Sequence, residues 1–308
     1  MLFRQLEYFV AVARERHFAR AAEVCFVSQP ALSAAIAKLE QELNVTLINR
    51  GHSFEGLTPE GERLVVWAKR ILAEHDAFKA EALAVQSGLT GTLRLGVGPT
   101  ISTTVSLPVE AFCDAHPLAK VRITTRLTAP EIHRGLRDFE LDAGIGYLPP
   151  QDEEGLHVRP LYEERYVLIA PPGLLSGEPV TMGWAEAAQL PLALLPSDVR
   201  IRRIIDDAFA ENGVEISPQV ETDSIASLHA HVATGKWASI VPHTWLRDLS
   251  TTGKARKIDL VGPVLSAPIV IAVNAAEPGS AIARAFLEAA AGLSLTEVFE
   301  KLPSTSQQ

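Results

Sequence analysis

A stretch near the start of the chain, SQPALSAAIAKLE at 28–40, carries side chains that could read the edges of base pairs. Ser28 is a preferred helix cap, so the stretch predicts a helix that begins here. Near its start, Gln29 can make paired hydrogen bonds to an adenine and Ser33 can donate or accept, whereas Lys38 can reach a phosphate or a base. The alternative is a capped helix whose alanine-rich face is merely solvated. The candidate DNA-contacting residues of this helix are Ser28, Gln29, Pro30, Ser33, Ala34 and Lys38.

Three short helices and a hairpin are predicted to position this stretch. Apolar residues recur at helical spacing over 3–15 and 18–25, and the stripe of the third helix runs from the Ser28 cap to residue 43. Residues 47–49 and 54–57 can then pair as a small hairpin. A compact unit of about 58 residues follows from this order.

A single long helix is predicted after the hairpin, because Thr58 can cap it, Pro59 suits its first position, and no breaker follows until Ser87-Gly88. A helix with one apolar stripe is not stable alone in water, so it needs a partner. The partner is either the rest of its own chain or a second copy, and the length favours a homodimer. The predicted stripe consists of Leu64, Ala68, Ile71, His75, Phe78, Ala82 and Val85.

Beyond residue 88, strands alternate with helices in two sets of similar size, which predicts parallel strands with helices packed on their faces. The segment LHVRPLYEERY at 156–166 joins the sets, so we expect two hinged lobes with a cleft between them. The last residues, TEVFEKLPSTSQQ, are expected to be a frayed tail. The predicted boundaries are 1–58, 59–88 and 89–308, with lobe I at about 89–162 and 266–295 and lobe II at about 163–265.

Four motifs in order give the chain a resemblance to LysR-type transcriptional regulators. The family's L-x-x-F-x-x-V-A corresponds to residues 6–13, and its F-x-x-A-A to residues 18–22. Its S-Q-P-A-L-S-x-x-I-x-x-L-E is complete at 28–40, and its L-T-x-x-G is LTPEG at 57–61. The resemblance covers the whole chain, because the family continues with a linker helix and an effector domain.

The resemblance implies an α/β protein with an all-α winged helix-turn-helix, a long linker helix and a two-lobed α/β effector domain similar to type 2 periplasmic binding proteins. It implies a homotetramer, in which two dimers formed through 59–88 associate, bound to inverted-repeat promoter DNA, with RNA polymerase as a candidate partner. Arg50, in the wing, stands where the family usually has an arginine, and we expect it to bind a phosphate. Ala34-Ala35 and the weakly basic residues 51–53 depart from the usual pattern, which suggests weaker electrostatic anchoring to DNA.

An effector site is expected where strands end, because ligands of open α/β lobes bind outside the carboxyl ends of strands. Thr100, Ser102 and Thr128 resemble hydroxyl positions with which the family holds effector carboxylates, so we hypothesise a small carboxylate or other anion. Each hydroxyl could equally be a helix cap. An arginine at the start of the helix at 201–212 would add positive charge, but the apolar stripe leaves Arg200, Arg202 and Arg203 all free. The candidate effector-binding residues are Thr100, Ser102, Thr128, Tyr147, Ser197 and Arg200.

Other classes of function fit poorly. The net charge of −9 would argue against DNA binding if it were spread evenly along the chain. Residues 1–88, however, carry ten Lys/Arg and eleven Asp/Glu, so the acidity lies mostly beyond them. Gly96–Thr100 lacks the lysine of a phosphate loop, and His229 and His231 lie on different helix faces, so we expect no catalytic residue, no metal and no cofactor. No signal peptide or membrane span is evident, which predicts a cytoplasmic protein. A solute-binding protein without DNA-binding function is the competing interpretation.

Overall fold

The computed structural model describes residues 1–50, 54–246, 255–276 and 279–300. Its N-terminal part contains the predicted helices and hairpin. Leu32, Ile36 and Leu39 of the third helix are fully buried against the first two helices. A long helix follows the hairpin directly. The elements are α1 (Phe3–Glu15), α2 (Phe18–Val24), α3 (Gln29–Leu43), β1 (Ile48–Arg50), β2 (Phe54–Leu57) and α4 (Pro59–Ser87).

The two-lobed α/β part is built from ten strands and seven helices within the described residues. Its strands are β3 (Gly91–Val97), β4 (Ala119–Thr124), β5 (Ala143–Gly146), β6 (Leu156–Ala170), β7 (Thr181–Gly183), β8 (Ala193–Leu194), β9 (Val220–Glu221), β10 (Ser239–Pro242), β11 (Arg256–Val261) and β12 (Ser266–Asn274). Its helices are α5 (Ser106–Ala115), α6 (Ala129–Arg137), α7 (Trp184–Ala187), α8 (Arg200–Glu211), α9 (Ile225–Ala233), α10 (Ala281–Ala291) and α11 (Leu295–Glu300).

Strand β6 runs through both lobes. Its first part pairs with β12 in the sheet order β4-β3-β5-β12-β6, which with α5, α6, α10 and α11 we call lobe I. Its last part, from Tyr166 onward, pairs with β10 and β11, and these strands with β7–β9 and α7–α9 form lobe II. Each lobe has its own core, around Phe112 and Phe286 in lobe I and around Trp184 and Phe209 in lobe II.

The sheet differs in part from the parallel arrangement that the βαβαβ pattern implies. Strands β3, β4 and β5 are parallel as predicted, but β12 pairs antiparallel with both β5 and β6. Strand β12 comes back from lobe II, so it enters lobe I from the hinge side and runs against β5. Strands β7 and β11 and helix α7 are additional elements that the sequence pattern did not predict.

The C-terminal segment is not frayed up to residue 300, contrary to the sequence-based expectation. Helix α11 buries Leu295 and Phe299 to 2% and 3% exposure. The Phe299 ring packs edge-on against Tyr162 of β6, with ring centres 4.8 Å apart. This helix therefore covers the hinge end of lobe I, whereas residues 301–308 lie outside the described residues.

Helix α4 presents apolar side chains in two directions. Ala68 is buried, and Leu64 and Ile71 are half-buried, in the core that α4 shares with α1. Own-chain packing therefore accounts for the first half of the predicted stripe. Trp67 and Phe78, by contrast, are 58% and 75% exposed.

Candidate functional site

Helix α3 shows a polar, small-residue face to solvent. Gln29, Pro30, Ala34 and Lys38 are exposed and Ser33 is half-buried. Ser28 acts as the predicted cap, since its Oγ accepts a hydrogen bond from the Ala31 N–H at 3.4 Å. The side chains that could contact DNA therefore lie together on the face opposite the buried stripe.

The C-terminal end of α3 holds the hairpin in place. The Glu40 carboxylate accepts hydrogen bonds from the backbone N–H groups of Leu47 and Ile48 at 2.9 and 3.2 Å. The sequence suggested only that Glu40 lies away from the DNA groove, so this positioning role was missed. Arg50 ends β1, but its side chain and residues 51–53 lie outside what the structure describes.

The LTPEG motif joins the hairpin to the linker helix through Thr58. Its hydroxyl donates to the Thr46 carbonyl at 2.6 Å and accepts from the Gly61 N–H at 2.9 Å. A Cβ on Gly61 would stand 2.0 Å from the Leu47 carbonyl oxygen, so only glycine lets the first turn of α4 approach the hairpin this closely. These contacts set the angle between the hairpin and α4.

In the cleft, the structure separates the three arginines that the sequence left equivalent. The Arg200 guanidinium carbon lies 3.5 Å from the centre of the Tyr147 ring, which places the Arg200 cation of lobe II against lobe I. Arg203 is exposed and donates to the Asp198 carbonyl at 3.3 Å. Arg200 is therefore the arginine that faces the cleft.

Arg202 is not free, contrary to the expectation from the helical stripe. It is 5% exposed and donates to the Asp206 carboxylate and the Leu195 carbonyl, each at 2.7 Å. Arg202 forms a second ion pair with Glu221 at 2.5 Å. Burial lowers the pKa of the Arg202 guanidinium, but its pairs with Asp206 and Glu221 outweigh this effect and raise the pKa. A long aliphatic stem let Arg202 share the buried side of α8, which a pattern of apolar residues does not reveal.

The candidate hydroxyls occupy different settings. Thr128 forms a capping box, donating to Glu131 at 2.7 Å, so for this residue the helix-cap alternative has direct support. Ser102 is exposed and donates to the Pro99 carbonyl at 3.3 Å. Thr100 is half-buried, and its carbonyl accepts a hydrogen bond from the Trp245 Nε1 of lobe II at 3.0 Å.

A third contact between the lobes closes the cleft beside Ser197, which is exposed. Arg126, which follows β4 in lobe I, forms an ion pair with Asp223 of lobe II. Both residues line a cavity together with Ser197 and Glu221. The sequence did not single out Arg126 or Asp223, because neither belongs to a motif and only the folded lobes bring them together.

Glu164, in the middle of β6 where the lobes meet, is a carboxyl group that sequence reasoning also missed. Glu164 is completely buried, and burial raises its pKa to about 8 despite hydrogen bonds with the side chains of Thr100 and Tyr166. Tyr162 and Tyr166 are buried on either side of it, two residues away along the same strand. The one signal in the sequence was the period of two along a strand, which places Glu164 on the same face as Tyr162 and Tyr166.

Within the described residues there is no group of three or more His, Cys, Asp or Glu side chains able to hold a metal ion. None of the described helices has the length and hydropathy needed to cross a membrane.

Comparison with protein families gives two matches that together cover most of the chain. Residues 3–62 match the family described as bacterial regulatory helix-turn-helix protein, lysR family. Residues 86–293 match the LysR substrate binding domain. The first match removes the alternative of a solute-binding protein that lacks a DNA-binding unit.

Individual relatives are similar in sequence to this chain over most of its length. A probable hydrogen peroxide-inducible genes activator from Streptomyces viridosporus is 33% identical over 306 residues, which is 97% of this chain and 95% of the relative. The SDS degradation transcriptional activation protein of Pseudomonas sp. (strain ATCC 19151) is 31% identical over 85% of this chain and 86% of its own.

Solved structures show the same architecture. Full-length OxyR from Pseudomonas aeruginosa, carrying a cysteine-to-aspartate substitution, has a TM-score of 0.74 at 27% identity and covers 100% of this chain and 99% of its own. Full-length CbnR complexed with its target DNA has a TM-score of 0.61 at 25% identity, with coverage of 94% and 99%.

Proposed function

Because this chain belongs to the LysR family of DNA-binding transcriptional regulators, we propose that α3 reads promoter DNA and that a small anion captured between the lobes controls the outcome. The position of Arg200 is the observation that supports an anionic effector. The charge of Arg200 lies at the N-terminus of α8, faces the cleft over Tyr147, and has no carboxylate partner among the described residues.

The DNA-reading part rests on the exposed face of α3. A recognition helix enters the major groove with its N-terminal turns, where Gln29 and Ser33 would reach base edges and Lys38 a phosphate or base further along. Small residues such as Ala34 would permit close approach. In this proposal Ser28 and Pro30 define the start of the helix, and Arg50 of the wing adds a phosphate contact.

The effector part rests on charge. A helix N-terminus carries a partial positive charge, and a guanidinium in its first turn adds a full one. A carboxylate or oxyanion can form a bidentate pair with the Arg200 guanidinium, and Thr100, whose side chain hydrogen-bonds to Glu164, would line the same cleft. Tyr147, Ser102 and Ser197 would line the same cleft, and Thr128 would contribute mainly by capping α6.

Titration calorimetry of the full-length protein against a panel of small carboxylates and oxyanions tests this assignment. A charge-assisted hydrogen bond is worth about 1.5–3 kcal/mol, so Arg200→Met should weaken binding of an accepted anion by roughly 10- to 100-fold. Arg203→Met on the same helix is the matched control and should leave the affinity unchanged. If neutral or cationic metabolites bound and none of the anions did, the assignment of an anionic effector would be refuted.

For the assembly, we propose a homodimer through α4 and a homotetramer formed by two such dimers. Trp67 and Phe78 of α4, with Phe3 of α1, leave a contiguous apolar surface on the linker helix. Exposed patches of this kind usually mark an interface. Two α3 helices in one dimer suit inverted-repeat DNA, and a change in their spacing on effector binding would bend the promoter differently for RNA polymerase.

The dimer surface can be tested by sedimentation velocity. Trp67→Ser combined with Phe78→Ser should shift the protein toward smaller species, whereas Val180→Ser, an exposed apolar residue of lobe II at 73% exposure, should not. An unchanged sedimentation profile for the double variant would place the dimer contact elsewhere.

A second candidate function is a response to hydrogen peroxide, favoured by the names of several relatives. The chain has two cysteines, and neither is in the cleft: Cys25 ends α2, and Cys113 lies half-buried in α5. Burial raises the pKa of the Cys25 thiol, which lowers its reactivity. A Cys25→Ser/Cys113→Ser protein whose promoter binding still responds to peroxide would exclude sensing by these thiols.

A further inference from the structure

Glu164 lies where the two lobes meet, in the middle of the strand that they share. It is completely buried, whereas Glu163 and Arg165 on either side are exposed. The strand alternation that turns its neighbours to solvent directs Glu164 inward. Acidic side chains are almost never fully buried without a partner that compensates the charge.

Both lobes contact this carboxyl group or the residues that hold it. The Tyr166 hydroxyl donates to its Oε1 at 3.4 Å, and its carboxyl interacts with the side chain of Thr100 from the turn after β3. That turn is held in place from lobe II by Trp245, whose Nε1 donates to the Thr100 carbonyl at 3.0 Å. Closure of the lobes therefore assembles the surroundings of Glu164.

Those surroundings supply no compensating charge. Among the described residues Glu164 has no ion pair, and its Oε2 has no hydrogen-bond partner. An ionised carboxylate here would be an uncompensated buried charge, whereas the neutral acid is tolerated.

The ionisable groups around Glu164 do not change charge near neutral pH. Tyr162 and Tyr166 flank it, and their pKa values are raised by burial. His243, which follows β10, has its pKa lowered to about 4 by burial and by Arg165, so its imidazole is neutral above pH 5. Arg200 of α8 is permanently charged and acts on Tyr166 rather than pairing with Glu164.

We propose that Glu164 is a positioning residue of the effector cleft, which holds the lobes together while it is protonated and releases them when it ionises. The proposal deepens the function proposed for the cleft, but it is a statement about the unliganded protein. A ligand that requires the closed cleft would therefore be captured together with a proton.

The direction of the pH dependence follows from linkage. In the closed form burial raises the Glu164 pKa to about 8, and opening admits water, which returns the pKa toward its ordinary value. The closed form thus binds the proton more tightly. Between those two pKa values the ratio of closed to open protein falls by up to about tenfold for each unit that the pH rises.

Hydrogen–deuterium exchange of the full chain without ligand or DNA tests this at pH 6, 7 and 8. The segments to follow are 97–106 and 239–246, which carry the Thr100 and Trp245 contact. Exchange is expressed as a protection factor, the intrinsic rate at each pH divided by the observed rate, so that the pH dependence of chemical exchange cancels. Each variant is compared with wild type at the same pH. Protection of wild type should fall as the pH rises, Glu164→Gln should stay protected throughout, and Glu163→Gln, its exposed neighbour, should follow wild type.

A wild-type profile that does not change with pH, or a Glu164→Gln profile that falls like wild type, would overturn the proposal. Tyr166→Phe provides a second test should Glu164→Gln fail to fold. The Tyr166 hydroxyl lowers the Glu164 pKa of the closed form by hydrogen bonding, so its removal should let the fall in protection continue to higher pH than in wild type. A pH profile of protection identical to that of wild type would also contradict the role proposed for Glu164. Because neither effector nor DNA is present, these results are independent of the anion and of promoter binding.

Discussion

Arg200 of lobe II covers the ring of Tyr147 of lobe I, with 3.5 Å between the guanidinium carbon and the ring centre. The contact spans the cleft, so it exists only while the lobes are closed. A cation over an aromatic face contributes about 0.5–2 kcal/mol, depending on how far it is desolvated. The same guanidinium that we assign to the effector therefore already stabilises closure without one.

Tyr147→Leu should remove this contribution and lower the ratio of closed to open protein by roughly 2- to 30-fold, which is the stated energy converted to an equilibrium constant. Hydrogen–deuterium exchange of residues 97–106 reports the change. Tyr147→Phe keeps the aromatic face and should remain close to wild type. Equal behaviour of the two variants would show that the ring does not hold Arg200.

Gln29→Ala should relax base preference at one position of each half-site, because a paired hydrogen bond to a base discriminates by about 1–3 kcal/mol. Selection from randomised DNA gives the preferred sequence of each variant. Gln41→Ala, an exposed glutamine at the other end of α3, should leave that sequence unchanged. Arg50→Ala should instead weaken all sequences alike and reduce the salt dependence.

Gly61→Ala should destabilise the N-terminal unit, because the added methyl group would stand 2.0 Å from the Leu47 carbonyl oxygen. Overpacking of this kind costs about 1–3 kcal/mol in the free energy of unfolding. Gly183→Ala is the control, since nothing lies within 4 Å of a Cβ at that position and its φ is −77°. Urea unfolding measures both, and a loss no larger than that of the control would contradict the close approach.

Arg202→Met should lower stability by about 1–3 kcal/mol, because the Leu195 carbonyl loses its donor and two carboxylates lose their partner. Asp206 and Glu221 retain contact with solvent, which limits the loss. Arg203→Met should change stability by less than about 0.5 kcal/mol, as exposed substitutions usually do. Thermal unfolding of the two variants should therefore differ clearly.

The sequence predicted the N-terminal unit better than the cleft, for a physical reason. Caps, helical stripes and the LTPEG motif are local, so Ser28 and Thr58 could be assigned before their partners were known. The Arg126–Asp223 pair joins residues almost a hundred positions apart, and no local pattern encodes it. Arg202 and Glu164 were missed because a charged side chain in a hydrophobic pattern is normally assumed to face solvent.

Strand β6, unbroken from Leu156 to Ala170, gives the two lobes a common backbone. Each lobe fills its sheet with one part of that strand: β12 pairs with residues 156–165, and β10 and β11 pair with residues 166–170. Lobe I is completed by β12 and α10, which follow lobe II in the chain, so its sheet cannot form until the chain has passed through lobe II. The two lobes can rock about the middle of β6, but they should melt in one cooperative transition and resist being expressed apart.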